Sequence, residues 1–174
     1  MRGLADEARI RRFMRELARA ARRPTRVYLT GGATAVLSHW RASTIDIDIK
    51  IVPEDDALFQ AIPRLKESLA INVELAAPDD FIPVPDGWED RSRFITQEGL
   101  VTFLDYDLVA QALAKIERGH AQDQEDVQEM LRRGLVRTEE LRAAFEAIEP
   151  KLYRYPAIDP GAFRRAVEAV APAS

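Results

Sequence analysis

The sequence predicts an α/β fold of the α+β kind, with a small mixed β-sheet flanked by helices and a mainly helical C-terminal part. Three observations carry it. Residues 44–52 alternate with period two between isoleucines and polar side chains, the pattern of a strand with one buried face. Before them, the short apolar run Val27-Tyr28-Leu29-Thr30 breaks at Gly31-Gly32 and gives way to a helical pattern. From Asp107 onward the segments read as helices.

In chain order, Ile10, Phe13, Met14, Leu17, Ala18 and Ala21 recur at three and four residues. They make the N-terminal segment an amphipathic helix, which Pro24 stops. After the strand and the Gly31-Gly32 break, residues 33–40 form a helix. On the strand 44–52, the isoleucines, Ile45 included, line one face, while Asp46, Asp48 and Lys50 line the other. After Pro53, residues 54–69 form a helix with Pro63 inside it. Residues 71–75 form a further strand, with Ile71, Val73 and Leu75 toward the core. Three prolines and a glycine make 77–90 an irregular loop. Residues 94–96 and 100–104 flank Gln97-Glu98-Gly99 as a hairpin. Asp107 caps a helix reaching about residue 118, and helices follow near 123–132, 138–148 and 160–170. The 174 residues suit one domain: an N-terminal helix (1–24), an α/β core (25–105) and a helical part (106–174).

Composition excludes several chemistries. There is no cysteine, hence no disulfide, zinc thiolate or cysteine nucleophile. His39 and His120 are too far apart in sequence to suggest a metal-ligand pattern. No run approaches the roughly 20 apolar residues that span a bilayer, and the first residues lack the apolar stretch of a signal peptide. The expectation is a soluble cytoplasmic protein with no membrane partner. Net charge is -4, yet residues 1–26 hold nine arginines against three acids. Such a basic end marks either a site for nucleic acid or an acidic partner, or simply a solvated helix face.

Two aspartates at i and i+2 repel one another, and each loses solvation on a partly buried face. A divalent cation reverses that cost, since Mg²⁺ takes hard oxygen ligands and commonly keeps one or two carboxylates, waters and substrate phosphates. Alone, the pair is better read as the polar outer face of a half-exposed strand, a common arrangement. The preceding turn adds to it: a strand ending in Gly-Gly before a helix exposes backbone N–H groups that suit phosphate oxygens. Together the two features place a phosphate cradle beside a metal site.

In sequence, LTGGATAVLSHWRASTIDIDI (residues 29–49) resembles the signature of the polymerase-beta-like nucleotidyltransferase superfamily, a hydrophobic residue and Gly-Gly or Gly-Ser followed by an Asp-x-Asp strand. Arg41 and Thr44 before the aspartates look most like the minimal bacterial nucleotidyltransferases that include the AbiEii-type toxins. The resemblance spans roughly residues 27–131. It implies a third carboxylate from a neighbouring strand, for which Glu74 is the candidate and Asp79 and Asp80 are competitors. It also implies a lysine on a later helix, followed by an aspartate; Lys115 with Asp123 or Asp126 is similar.

By this resemblance, an acceptor hydroxyl attacks the α-phosphorus of a nucleoside triphosphate such as ATP and releases pyrophosphate. Asp46, Asp48 and Glu74 would hold Mg²⁺, or Mn²⁺ in its place. Thr30, Gly31, Gly32, Thr34, Arg41 and Thr44 would bind the nucleotide. Lys115 would offset phosphate charge, and Asp123 would orient Lys115 or a base. The implied acceptor is RNA, tRNA among the candidates, or a protein hydroxyl. The implied role is the toxin of a bacterial toxin–antitoxin or abortive-infection system, with a cognate antitoxin as partner. The rivals are a catalytically silent module that binds RNA or protein, and an antibiotic-modifying enzyme, which the compact size disfavours. Trp88, Arg91 and Arg93 are candidates for an acceptor-binding lip.

Overall fold

A computed structural model describes residues 2–174. It is a mixed α/β structure, as the sequence patterning predicts. The chain forms two compact units: residues up to Ala77 together with Ser92–Tyr106, and Pro78–Arg91 together with Asp107–Ser174. The proline-rich loop thus groups with the C-terminal helices.

In the first unit, β1 (Ala5–Asp6) leads into α1 (Glu7–Ala18), where Asp6 accepts a hydrogen bond from the Arg9 backbone N–H. Strand β2 (Thr25–Thr30), α2 (Gly32–Leu37), β3 (Ser43–Thr44), β4 (Asp46–Val52), α3 (Asp56–Ser68) and β5 (Asn72–Glu74) follow. Strands β6 (Arg93–Glu98) and β7 (Val101–Asp105) complete the unit. The five-stranded sheet runs β5-β4-β2-β7-β6. Strand β2 is antiparallel to β4 and parallel to β7, β4 is parallel to β5, and β6 and β7 pair as the expected antiparallel hairpin.

One face of this sheet is the core. Ile47, Ile49 and Ile51 of β4 pack with Val27 and Leu29 of β2 and with Ile10, Phe13, Met14 and Leu17 of α1, all buried. Each such side chain contributes about 1.5–3 kcal/mol on removal from water. Asp46, Asp48 and Lys50 alternate to the opposite face and are half-buried.

Two isoleucine and leucine assignments are corrected. Ile45 is 70% exposed and Leu75 56% exposed, although the alternation assigned both to the core. Residues 44–52 are not one strand. Ser43–Thr44 pairs with Ala5–Asp6 in a separate two-stranded sheet, and Ile45 sits at the switch between the two sheets. Leu75 lies one residue beyond the end of β5, where no pleat sets its direction. Helix α2 also stops at Leu37, short of residue 40, and His39 takes a left-handed φ of 68°.

The second unit holds a 3-10 turn at Pro78–Asp80, α4 (Trp88–Arg91), α5 (Leu108–Arg118), α6 (Ala121–Arg132), α7 (Thr138–Ile148) and α8 (Pro160–Val170). Asp107 caps α5 as expected, accepting from the Val109 N–H, and Gly119 ends it in the left-handed conformation that glycine adopts without strain. Phe145 of α7 meets Phe163 of α8 edge-on, with ring centres 5.0 Å apart.

Candidate active site

Register assembles the carboxylates. Thr30 on β2 is opposite Asp48 on β4, and Asp48 is opposite Glu74 on β5, so the three form one row across adjacent strands. Asp46 lies two residues before Asp48 on the same face and is opposite Asn72. Directly opposed residues in a sheet have Cβ atoms about 5 Å apart, so these side chains are neighbours on one face of the sheet.

The turn after β2 abuts this row. Gly31 has φ 62° and ψ -129°, a conformation open essentially to glycine alone. A Cβ there would lie 3.0 Å from Oδ2 of Asp48. The missing side chain therefore leaves the Asp48 carboxylate directly against the turn. Gly32 is needed for a different reason: an added Cβ would fall 2.0 Å from Oγ1 of Thr44 and 3.0 Å from Nη1 of Arg41. Thr44 in turn donates its hydroxyl to the Asp46 carbonyl at 3.0 Å. Gly32, Arg41 and Thr44 thus form one packed corner that fixes the start of the aspartate strand.

Asn72 joins two of the carboxylates. Its Nδ2 donates to Oδ1 of Asp46 at 2.6 Å and to Oε1 of Glu74 at 3.2 Å. Among the described residues, no three Asp, Glu or His side chains are gathered closely enough to enclose a cation as they stand. The donor chemistry of Asp46, Asp48 and Glu74 nonetheless fits Mg²⁺ or Mn²⁺, being hard oxygens on adjacent strands.

Thr34 is placed elsewhere. It is fully buried, and its hydroxyl donates to Oδ1 of Asp105 at 2.9 Å, with the Leu29 carbonyl at 3.4 Å. Arg93 meets Oδ2 of the same aspartate at 2.9 Å and also reaches the Ser38 hydroxyl. Burial pushes the Asp105 carboxyl above its ordinary pKa, against the opposing pull of the Arg93 charge and of the Thr34 and Arg93 hydrogen bonds. Sequence reasoning missed both Asp105 and Asn72. Asn72 had a signal, since period two puts it beside Glu74; Asp105 had none, because its partners are 71 and 12 residues away.

Lys115, Asp123 and Asp126 come together within the second unit. The buried Lys115 ammonium lies 2.8 Å from Oδ2 of Asp126 and 3.5 Å from Oδ1 of Asp123. Arg118 grips Asp123 with two bonds of 2.7 and 2.6 Å. Burial of Asp123 pushes its pKa up, but the Arg118 hydrogen bond and the Lys115 and Arg118 charges outweigh it and hold the carboxyl below its ordinary value. Asp79 and Asp80 lie in the 3-10 turn of that unit. His39 and His120 are largely exposed, and Arg91 is tied to Asp107 at 2.8 Å. No helix among the described residues is long and apolar enough to cross a membrane.

Residues 8–157 match a family described as a nucleotidyltransferase of unknown function (DUF6036). Comparisons with curated proteins and with solved structures return no match.

Proposed function

The chain belongs to that nucleotidyltransferase family, and on this premise we propose that it transfers a nucleoside monophosphate from a nucleoside triphosphate to a hydroxyl of RNA, tRNA included, or of a protein. The observation that carries the reading is the row Thr30–Asp48–Glu74, with Asp46 on the same face and the side-chain-free Gly31 against Asp48. In the reaction the acceptor oxygen bonds to the α-phosphorus, the bond to the β-phosphate oxygen breaks, and pyrophosphate leaves. Asp46 and Asp48, with Glu74, would hold Mg²⁺ or Mn²⁺, which supplies charge stabilisation to attacking and leaving oxygens. Glu74 is exposed and accepts the hydroxyl proton; Thr30 and the Gly31 backbone orient the phosphates. Arg41 and Thr44 hold Gly32 and Asp46 in place. The buried hydroxyl of Thr34 supports α2 through Asp105 instead of meeting the nucleotide. A charge-compensating role for Lys115, with Asp123 and Asp126 orienting it, is a separate part of the proposal.

The arginine-rich α1 supports an anionic acceptor. Its apolar side packs on the core face of the sheet, while Arg12 and Arg15 are exposed. A toxin role, with a cognate antitoxin, rests on the motif likeness to the AbiEii-type enzymes alone. Growth arrest on expression, relieved by Asp48→Ala, is its test.

Incubation of the purified chain with labelled nucleoside triphosphates, Mg²⁺, total RNA and total protein tests the transfer itself. Asp46→Ala and Asp48→Ala are each expected to lower it by at least about a hundredfold, the scale on which electrostatic stabilisers act; undiminished transfer in the double variant refutes the site. The second reading is a binding module without catalysis. That no three carboxylates among the described residues gather around one point favours it. It predicts RNA or protein retention with no transfer from any triphosphate.

A further inference from the structure

Asn72 lies on the edge strand β5, between two of the carboxylates assigned to the cation. Both hydrogens of its amide are used, one toward Asp46 and one toward Glu74. On its other side, Oδ1 of Asn72 accepts from Nη1 of Arg2 at 3.0 Å. The N-terminal segment is fixed there by the backbone bond from Gly3 N–H to the Ala70 carbonyl, 2.8 Å. The orientation of the amide is therefore determined from both sides. Reversed, its oxygen would face two carboxylates and its NH2 would face a guanidinium.

We propose that Asn72, oriented by Arg2, is a positioning residue whose amide holds Asp46 and Glu74 in place of a cation and is displaced when a divalent ion binds. The inference rests on the reading of Asp46, Asp48 and Glu74 as the cation's ligands. Two ionised carboxylates facing one position repel each other. A carboxamide donating to both relieves that repulsion with partial positive charge, and a divalent ion relieves it with full charge. The two therefore compete for the same oxygens. Stabilisation of the ion-free state by the amide is given up on binding, so it weakens cation affinity.

Removing the amide should tighten binding. The test is Mn²⁺ titration of the full chain without nucleotide, followed by the loss of the free Mn²⁺ electron paramagnetic resonance signal, with Mg²⁺ as competitor. Asn72→Ala is expected to bind Mn²⁺ about five- to tenfold more tightly than wild type, the range that hydrogen bonds to a charged group at a half-exposed site support. Arg2→Ala, which changes only an exposed terminal side chain, is expected to give a smaller shift in the same direction, about twofold. This second variant carries the test if Asn72→Ala fails to fold. A purely structural role for Asn72 would leave affinity unchanged or weaken it, and either result overturns the proposal. Binding that is abolished in Asp48→Ala but unchanged in Asn72→Ala overturns the role of Asn72 alone. Absence of Mn²⁺ binding in the wild type overturns the metal site as well.

Discussion

Gly31 and Gly32 adjoin in sequence yet answer to different constraints. Gly31 needs backbone freedom, because its φ and ψ admit little but glycine. Gly32 needs space, because Thr44 occupies the volume a side chain would take. Gly32→Ala is therefore expected to destabilise the chain by about 1–3 kcal/mol, the usual cost of overpacking. Thr44→Ala should relieve it only in part, since the Thr44 Cβ itself lies 2.7 Å from the added methyl; Thr44→Gly should relieve more. Denaturant titration of the two singles and the double in each pairing measures the coupling, and strict additivity would refute the contact. The Gly-Gly turn and the aspartate pair were legible from spacing, whereas the difference between the glycines was not. Thr44 lies twelve residues from Gly32 in sequence, and only folding sets the two in contact.

Among the elements, β4 shows what a period-two pattern conveys. Alternation correctly put Ile47, Ile49 and Ile51 inside and Asp46 and Asp48 on the other face, because the pleat imposes it locally. It failed at Ile45 because strand identity depends on the partner, and Thr44 and Asp46 pair in different sheets. Helices α5 and α6 raise a parallel question at Lys115. Asp126→Ala removes the nearer partner of a buried ammonium and is expected to cost about 3 kcal/mol, measured by thermal or chemical unfolding. Lys115→Met separates structure from chemistry under conditions where the variant is fully folded. Lost nucleotidyl transfer would support charge compensation, and an unchanged rate would leave Lys115 a structural residue.

At the level of the whole molecule, one buried aspartate in each unit responds to acid with the opposite sign to the other. Asp105 has a raised pKa in the folded state, so its favourable contribution is complete below the ordinary aspartate value and is lost as pH rises through the raised value. Asp123 has a lowered pKa, so its contribution is present above the ordinary value and is lost as pH falls through the lowered one. Stability of the wild type relative to Asp105→Asn should therefore decline as pH increases from about 4 toward neutrality. Relative to Asp123→Asn, it should decline as pH decreases below about 4. Denaturation curves across that range check both slopes, and parallel curves for variant and wild type would refute the corresponding assignment.

Sequence alone determined the mixed α/β class, the helix carrying the core stripe Ile10, Phe13, Met14 and Leu17, the aspartate strand and the glycine turn before it. These follow from local backbone geometry, in which periodicity and glycine's missing side chain act within a few residues. Tertiary structure decided that Glu74 is opposite Asp48, that Asn72 lies between Asp46 and Glu74, that Thr34 turns inward to Asp105, and that Lys115 is held by two aspartates. Those relations depend on strand order and helix packing, which bring together residues far apart in the chain and which no local pattern encodes.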